Sequence, residues 1–197
     1  MKKTVEEYLV ELSRRSIVPG GGSASALVAA IGAGLNLMVI NYSVKGEGSD
    51  AVSQGLVAAR ERQKECLERL SGLVDEDCRV FRELMEAVKA GADTQEKYSA
   101  AANVPMRICR ECHISMDISA HLLDTGNTNL VTDVGGAVYL LRAAFYSARL
   151  NAEVNMMKIK DWDFVERAIK TLNDMRVDVE NIDREVRIRL SKMDLGE

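Results

Sequence analysis

A carboxyl group in the middle of an apolar helical stripe is the first feature of this sequence that could do chemistry. At ~100° per residue around a helix axis, the apolar residues of segment 70–88 fall within ~60° of Asp77, whereas Asp75 points to the opposite side. Burying a bare carboxylate is costly, so such a group must be paired, hydrogen-bonded or protonated. The same surroundings tune its pKa, as a general acid or base requires. The sequence therefore predicts Asp77 as a proton-transfer group, with a structural ion pair as the alternative.

A later helix carries three polar residues on an otherwise apolar side. By the same arithmetic, Asp133, Asn151 and Asn155 lie within ~40° of the centre of a face made of small and aliphatic side chains. Buried polar groups are usually hydrogen-bonded. We therefore expect these residues either to line a polar pocket or to form a hydrogen-bonded seam between helices.

A glycine-rich turn precedes the most apolar segment of the chain. Gly20, Gly21 and Gly22 follow Pro19 and let a neighbour come close to the backbone, and Ser23 is a good helix N-cap. The free N–H groups of a helix N-terminus bind anionic or polar ligands. The spacing fits neither the nucleotide-binding P-loop nor the dinucleotide fingerprint. We expect residues 20–23 to contact a ligand, with a plain tight turn as the alternative.

Six helical segments must position these residues. No segment shows the period of two that marks a strand, and Pro105 predicts a kink or break within its helix. The predicted fold is all-α: a single-domain helical bundle of about five to six helices over residues 1–197, with a buried small-residue helix at its centre. The predicted helices cover residues 4–14, 24–43, 51–90, 94–123, 130–159 and 162–192.

The last predicted helix has a regular apolar seam. Between Val165 and Val186 its apolar residues alternate steps of three and four, which is the spacing of a coiled-coil contact. We expect this seam to pack against the rest of the bundle or against a second subunit, and we assign no chemistry to it.

Charge and composition exclude some classes of function. The net charge of −4 provides no basic field for nucleic acid. The apolar helix approaches the length of a membrane span, but it contains several glycines together with Ser25 and Asn36, so a core helix is favoured over a membrane. No secretory signal opens the sequence, and we expect a cytoplasmic protein.

Cys109, Cys112 and His113 match the spacing of a c-type haem attachment motif. That attachment needs export, and the motif falls inside a helical pattern, where the three side chains need not converge. The remaining cysteines and histidine supply no second ligand pair for zinc. We therefore expect buried, reduced thiols rather than a haem or zinc site.

Three segments resemble one family, in the same order. Residues 19–26 resemble the opening motif of the cyclodeaminase domain in the formiminotransferase-cyclodeaminase family. Residues 73–77, followed by Phe81, resemble its acidic helix motif. A third block is similar in its Gly126-Asn127 and Thr132-Asp133 pairs and in Asn151 and Asn155. The resemblance spans nearly the whole chain and includes no formiminotransferase domain, so it points to the free-standing members, some of which are methenyltetrahydrofolate cyclohydrolases.

This resemblance implies an all-α folate enzyme, usually a homodimer, with its substrate in a cleft near the subunit contact. The cyclodeaminase reaction closes the formimino group of 5-formiminotetrahydrofolate onto N10 and releases ammonia, which gives 5,10-methenyltetrahydrofolate. The cyclohydrolase reaction, the alternative, opens that methenyl bridge with water to 10-formyltetrahydrofolate. Neither needs a metal or redox cofactor. A non-catalytic folate-binding or assembly protein with the same fold is a further alternative.

The resemblance also implies roles for the candidate residues. Asp77 and Asp133 would be the catalytic carboxylates, with Asp77 as the proton shuttle and Asp133 holding the pterin's N–H donors. Asn127, Asn151 and Asn155 would line the same pocket, and residues 20–23 would approach the folate or its glutamate carboxylates. The loop at residues 45–50 has one basic residue, fewer than we expect for a polyglutamate site.

Overall fold

The computed structural model describes residues 3–44 and 51–192, and within them all regular structure is helical, which confirms the predicted all-α class. The loop at residues 45–50, on which the polyglutamate expectation depends, lies outside the described residues. The helices are α1 (Val5–Leu12), α2 (Gly21–Ser43), α3 (Ala51–Lys89), α4 (Gln95–Thr125), α5 (Val131–Met156) and α6 (Trp162–Ser191), with a short 3-10 helix at Thr128–Leu130 before α5.

Helix α2 is the central element, as predicted, and packs against α3, α4 and α5. Its small residues let the neighbouring backbones come close: a Cβ on Gly32 would lie 2.8 Å from Leu141 Cγ and 3.1 Å from the Ala137 carbonyl oxygen on α5. Because dispersion falls steeply with distance, this tight fit adds to the free energy gained by burying α2.

Helices α2 and α5 run antiparallel. At one end the hydroxyls of Ser25 and Ser147 are 2.7 Å apart, and at the other the Asn127 N–H donates to Ser43 Oγ at 2.8 Å. The N-terminus of α2 therefore lies beside the C-terminal half of α5, and the C-terminus of α2 lies beside the segment that leads into α5.

Helix α1 begins with a capping box, for which the spacing of Thr4 and Glu7 is the sequence signature. The Glu7 N–H donates to Thr4 Oγ1 at 3.2 Å, and the Thr4 N–H donates to Glu7 Oε2 at 2.8 Å. Helix α6 is capped by Asp161, whose Oδ1 accepts from the Phe164 N–H at 3.0 Å.

One expectation about helix ends is wrong, and another is narrowed. Ser23 does not cap α2, because the helix begins earlier, at Gly21, with Gly20 as the N-cap and no side chain to accept its N–H groups. Of the kink or break predicted at Pro105, the break is absent, because Pro105 is buried within an uninterrupted α4.

The seam on α6 packs against the bundle itself. Val165, Leu172, Val179 and Val186 are buried in the main hydrophobic cluster, where α6 covers α4 and α5. The sequence left open whether the seam packs against the bundle or against a second subunit. Among the described residues it packs against the bundle.

The cysteines of the haem-like motif are core residues. Cys66, Cys109 and Cys112 are free thiols without measurable exposure, and burial raises the pKa of Cys66 and of Cys109 to about 12. They are the buried, reduced thiols that the sequence predicts, since a thiol with so high a pKa stays protonated and unreactive.

Candidate active site

A cleft of about 290 Å³ opens where the N-terminus of α2 meets the middle of α3, the C-terminal half of α5 and α4. The strap between α1 and α2 forms one wall of this cleft through Ile17 and Val18. Most of its surface is apolar. The remaining lining residues are Gly20, Gly21, Gly22, Asp77, Val80, Phe81, Ala101, Val104, Leu150, Asn151, Val154 and Asn155.

Asp77 is the one ionisable side chain among the described residues that line the cleft. Burial raises its pKa from 3.8 to about 6, because a carboxylate loses hydration there, while a hydrogen bond from the Ser23 backbone N–H acts in the opposite direction. A carboxyl with a pKa near 6 is mostly ionised at neutral pH and still gives up and accepts protons readily. The predicted alternative, a structural ion pair, is not formed with any described residue.

The glycines accommodate the neighbouring side chains. A Cβ on Gly22 would lie 2.1 Å from Asp77 Oδ1, and a Cβ on Gly21 would lie 3.0 Å from Asn151 Nδ2. Only a residue without a Cβ allows Asp77 to reach the first turn of α2. The carboxylate that sits at this helix N-terminus, where the dipole and the free N–H groups favour an anion, is therefore the protein's own.

Two amide side chains from α5 face the same cleft. Asn151 Nδ2 donates to the Ser147 carbonyl at 2.8 Å, and Asn155 Nδ2 donates to the Ala101 carbonyl on α4 at 2.9 Å. Each amide is held by its nitrogen, so each Oδ1 remains an acceptor for a ligand N–H. The arrangement suits a flat, polar ring with donors along its edge.

Six of the predicted site residues therefore meet in one cleft: Gly20, Gly21, Gly22, Asp77, Asn151 and Asn155. Ser23 adjoins the cleft but is fully buried behind it, where its hydroxyl donates to the Val74 carbonyl at 2.9 Å. It is thus a residue of the supporting structure, and its backbone N–H rather than its side chain contacts Asp77.

The expectation that Asp133 and Asn127 share this pocket is wrong for a single chain. Asp133 is in the first turn of α5, and at 1.5 Å per residue it lies roughly 27 Å along the axis from Asn151. Asn127 caps the 3-10 helix, with its Oδ1 accepting from the Asn129 N–H at 3.0 Å. Periodicity placed Asp133 and Asn151 on one face correctly but says nothing about their separation along the helix.

Sequence reasoning missed the apolar part of the site. Leu150 and Val154 line the cleft yet are 62% and 63% exposed, and Ile17 is 60% exposed. The signal was present in α5, where these two aliphatic residues lie away from the core face. It was ambiguous, since isolated exposed aliphatic residues are normal on any protein surface.

No group of three or more His, Cys, Asp or Glu side chains is arranged to hold a metal ion within residues 3–44 and 51–192. The cleft itself offers one carboxylate and two amides to a ligand.

Fold and site together define an all-helical protein that presents one carboxyl with a raised pKa and two anchored amides in an apolar cleft. Residues 4–174 match the family described as formiminotransferase-cyclodeaminase, and the chain belongs to that family.

The relatives agree with this membership. The chain is 30% identical to a methenyltetrahydrofolate cyclohydrolase from Methylorubrum extorquens over 184 residues, and this match covers 88% of each chain. It is 27% identical to the formimidoyltransferase-cyclodeaminase of Mus musculus, of which it spans only 32% of the length. Its structure matches a formiminotetrahydrofolate cyclodeaminase from Thermotoga maritima with a TM-score of 0.91, 26% identity and 96% coverage of both chains. The chain is an enzyme of folate one-carbon metabolism, of the cyclodeaminase or cyclohydrolase type.

Proposed function

We propose that this enzyme is a formiminotetrahydrofolate cyclodeaminase in which Asp77 moves the proton. The observation that carries the proposal is the position of Asp77. This carboxyl, with a pKa of about 6, lies in the cleft where the glycine-rich turn and the two amides meet. The match to the Thermotoga maritima cyclodeaminase over 96% of both chains supports it.

In this mechanism the N10 nitrogen attacks the formimino carbon to give a tetrahedral carbon bonded to N5, N10 and the amino group. The Asp77 carboxylate takes the proton from N10 and delivers it to the amino nitrogen. The carbon–nitrogen bond then breaks, ammonia leaves, and the methenyl bridge remains. One group with a pKa close to neutrality serves both transfers, because it neither holds the proton too tightly nor fails to bind it.

Asn151 and Asn155 are proposed to orient the pterin. Their nitrogens are held by backbone carbonyls, which leaves two oxygens to accept from the ring's N–H groups. The apolar walls would exclude water from the tetrahedral carbon, which strengthens the electrostatic interactions within the cleft.

The cyclohydrolase reaction is the second candidate, and the 30% identical relative from Methylorubrum extorquens favours it. There the Asp77 carboxylate would take a proton from water as it adds to the methenyl carbon and would pass that proton to N5. The bond from that carbon to N5 would then break, and the new hydroxyl would release its proton to solvent to leave 10-formyltetrahydrofolate. The same residues would serve either the cyclodeaminase or the cyclohydrolase reaction. A folate-binding protein without turnover is the remaining alternative.

Absorbance of the methenyl chromophore separates these candidates. The chromophore should appear from 5-formiminotetrahydrofolate together with ammonia, whereas enzyme-dependent loss of 5,10-methenyltetrahydrofolate alone would make the protein a cyclohydrolase. Asp77→Asn should lower kcat by at least about a hundredfold. Asp75→Asn, an exposed change two residues away on α3, should not. Folate binding without either reaction would overturn the catalytic proposal.

We also propose that the enzyme is a homodimer formed through α2. This helix has no charged residue in its 23 residues, and it is long and apolar enough to cross a membrane by length and composition alone, yet only half of its most apolar window is buried. Its less covered side carries apolar residues, two exposed and three half-buried, at steps of three and four, the spacing of a helix–helix contact. These residues are Val28, Ile31, Leu35, Met38 and Tyr42. We propose that a second copy covers them.

Such a dimer would bring Asp133 to the cleft. In a two-fold pairing across the middle of α2, the C-terminal end of α2 in one copy lies beside the N-terminal end in the other. Asn127 is bonded to Ser43 at that C-terminal end, and Asp133 follows nearby in the first turn of α5. We propose that Asp133 of the partner subunit completes the folate site.

A cytoplasmic location and the absence of a metal or redox cofactor stay part of this proposal. The free thiols at Cys66, Cys109 and Cys112 support the former, since reduced cysteines persist in reducing compartments. Dialysis against a chelator should leave turnover unchanged if the latter is correct.

A further inference from the structure

Helix α1 contributes a single buried side chain, Tyr8, to the described bundle. Tyr8 is 4% exposed, whereas Val5, Leu9 and Val10 of the same helix are 57%, 54% and 45% exposed. The Tyr8 hydroxyl lies 3.0 Å from Ser23 Oγ in buried surroundings. The strongest polar attachment of α1 to the bundle is therefore made at the residue next to the cleft.

The directions of the hydrogen bonds at Ser23 follow from its chemistry. A serine hydroxyl has one hydrogen, and a carbonyl oxygen only accepts. Ser23 Oγ therefore donates its hydrogen to the Val74 carbonyl, at 2.9 Å, and the Tyr8 hydroxyl must donate to Ser23 Oγ. A buried chain of two hydrogen bonds thus runs from α1 through the first turn of α2 to α3.

Of these two hydrogen bonds, the one from Ser23 to the Val74 carbonyl joins α2 and α3, the two helices whose separation sets the position of Asp77. Val74 is three residues before Asp77 on α3, about one helical turn. The Asp77 carboxylate lies against the first turn of α2, where Oδ1 fills the Cβ position of Gly22 and the neighbouring Ser23 N–H favours the ionised form. The side chain of Ser23 therefore ties the donor to the turn that carries the acceptor. Removing the Tyr8 hydroxyl would take away its hydrogen bond to Ser23 Oγ in a buried site, where the Cys78 thiol is the other side-chain neighbour, and would loosen this attachment.

We propose that Tyr8 is a positioning residue for Asp77, acting through the Ser23 hydroxyl to hold the Ser23 N–H against the carboxylate. The inference rests on the proposed proton-transfer role of Asp77. It gives α1, which otherwise contacts the bundle sparsely, a part in catalysis without any contact to substrate.

Few titratable groups compete with this effect. Tyr8 on α1 and Cys78 on α3 are the titratable side chains that interact electrostatically with Asp77. The charges of Arg82 and Asp75 act on Cys78. From the other elements, the cleft residues around Asp77 are glycines on α2, Ala101 and Val104 on α4, and amides and aliphatic side chains on α5. Within the described cleft lining, a change in the titration of Asp77 therefore reports on the Ser23 contact.

The test compares Tyr8→Phe with Tyr98→Phe. Both changes remove one hydroxyl and keep the ring, but Tyr98 packs against the core on α4 and makes no side-chain hydrogen bond that the described residues record. Tyr8→Phe should weaken the bond that lowers the Asp77 pKa while burial stays the same, so the acid limb of the kcat–pH profile should move up by about half a pH unit. Near pH 6, where the ionised fraction of Asp77 would drop from about one half to about one quarter, its kcat should fall to roughly half, with KM within about twofold. Tyr98→Phe should match the wild type.

A second measurement separates failure of this inference from failure of the proposed function. The pKa of the Asp77 carboxyl, followed by carbon NMR in the folded protein, should rise in Tyr8→Phe and at least as much in Ser23→Ala, whether or not the protein turns over folate. An unchanged Asp77 pKa in both variants, with normal thermal unfolding, would overturn the inference. Loss of all activity in the wild type would overturn only the proposed function.

Discussion

Asp77 is exposed to two opposed influences at the scale of a single residue. Burial in the cleft disfavours the carboxylate, and the Ser23 N–H at the α2 N-terminus favours it; burial is the larger, so the pKa of Asp77 settles near 6. Either influence alone would give a poorer proton carrier at neutral pH, one too reluctant to ionise and the other too weak a base.

The raised pKa predicts that Asp77 costs stability at neutral pH. Because the folded protein binds this proton more tightly than the unfolded chain, whose pKa is near 3.8, stability falls as pH rises from about 4 to about 6 and stays lower above that. The loss is on the order of 3 kcal/mol. Asp77→Asn should therefore gain about that much free energy of unfolding relative to the wild type at pH 7.5, and little at pH 4, in urea titrations.

Other carboxyl groups titrate equally in both proteins, so the difference between them isolates Asp77. A difference that is the same at both pH values would mean that the carboxyl is not desolvated.

Gly22 predicts a second effect at residue scale. Its missing Cβ is the space that Asp77 occupies, with Oδ1 2.1 Å from the Cβ position. Gly22→Ala should push the carboxylate away from Ser23, destabilise the fold by about 1–3 kcal/mol and lower kcat more than about tenfold. Chemical denaturation and steady-state kinetics measure the two effects.

Gly72→Ala is the matched control. Gly72 also lies inside a helix, but nothing approaches its Cβ position within 4 Å. That change should stabilise the protein by about 0.5–1 kcal/mol, because alanine loses less backbone entropy on folding. If the two variants behave alike, the close approach to Asp77 is not what requires glycine at position 22.

At the scale of the element, α2 combines two functions in one helix. Its first turn receives Asp77, and its small residues bury one side against α3, α4 and α5. The other side is apolar and only partly covered, with Ile31 50% exposed in the single chain. A helix that is apolar all round is normally covered all round, which is the reason for placing a second subunit there.

Ile31→Asp should therefore dissociate the dimer. A buried, unpaired carboxylate at the centre of the contact would cost more than the apolar contact provides. Val177→Asp on α6 places the same charge at a residue of matching exposure, 49%, and should remain dimeric. Sedimentation equilibrium at micromolar concentration measures the oligomeric state of both variants and of the wild type. A wild type that sediments as a monomer would refute the dimer itself.

At the scale of the whole molecule, the question is whether two copies share each site. Asp77→Asn and Asp133→Ala variants should each be inactive, and mixing them with exchange of subunits should restore activity. Half of the randomly mixed dimers contain one copy of each, and one of their two sites has both carboxylates, so about a quarter of wild-type activity should return.

Recovery would not occur if both carboxylates acted within one chain. Full activity of Asp133→Ala alone would remove that residue from the site. The mixing experiment thus tests the correction that the structure makes to the position of Asp133, independently of which folate reaction is followed.

The sequence by itself determined what lies on each helix and how its faces are used. Apolar periodicity gave the all-α class, most helix limits to within a few residues, and the anomalous position of Asp77, because burial and the turn of a helix act on every residue locally. The capping box at Thr4 and the cap at Asp161 were readable for the same reason.

Only the tertiary structure decided which helix ends meet. Periodicity fixes the angle of a residue around the helix axis, but it does not say which other helix lies beside that residue. Asp133 and Asn151 therefore shared a predicted face and yet lie at opposite ends of α5. The antiparallel packing of α2 and α5 brought Asn151 to Gly21, and the packing of α3 against α2 brought Asp77 to Gly22. Local signals in the sequence carry no information about such contacts between distant segments, and these contacts make the site.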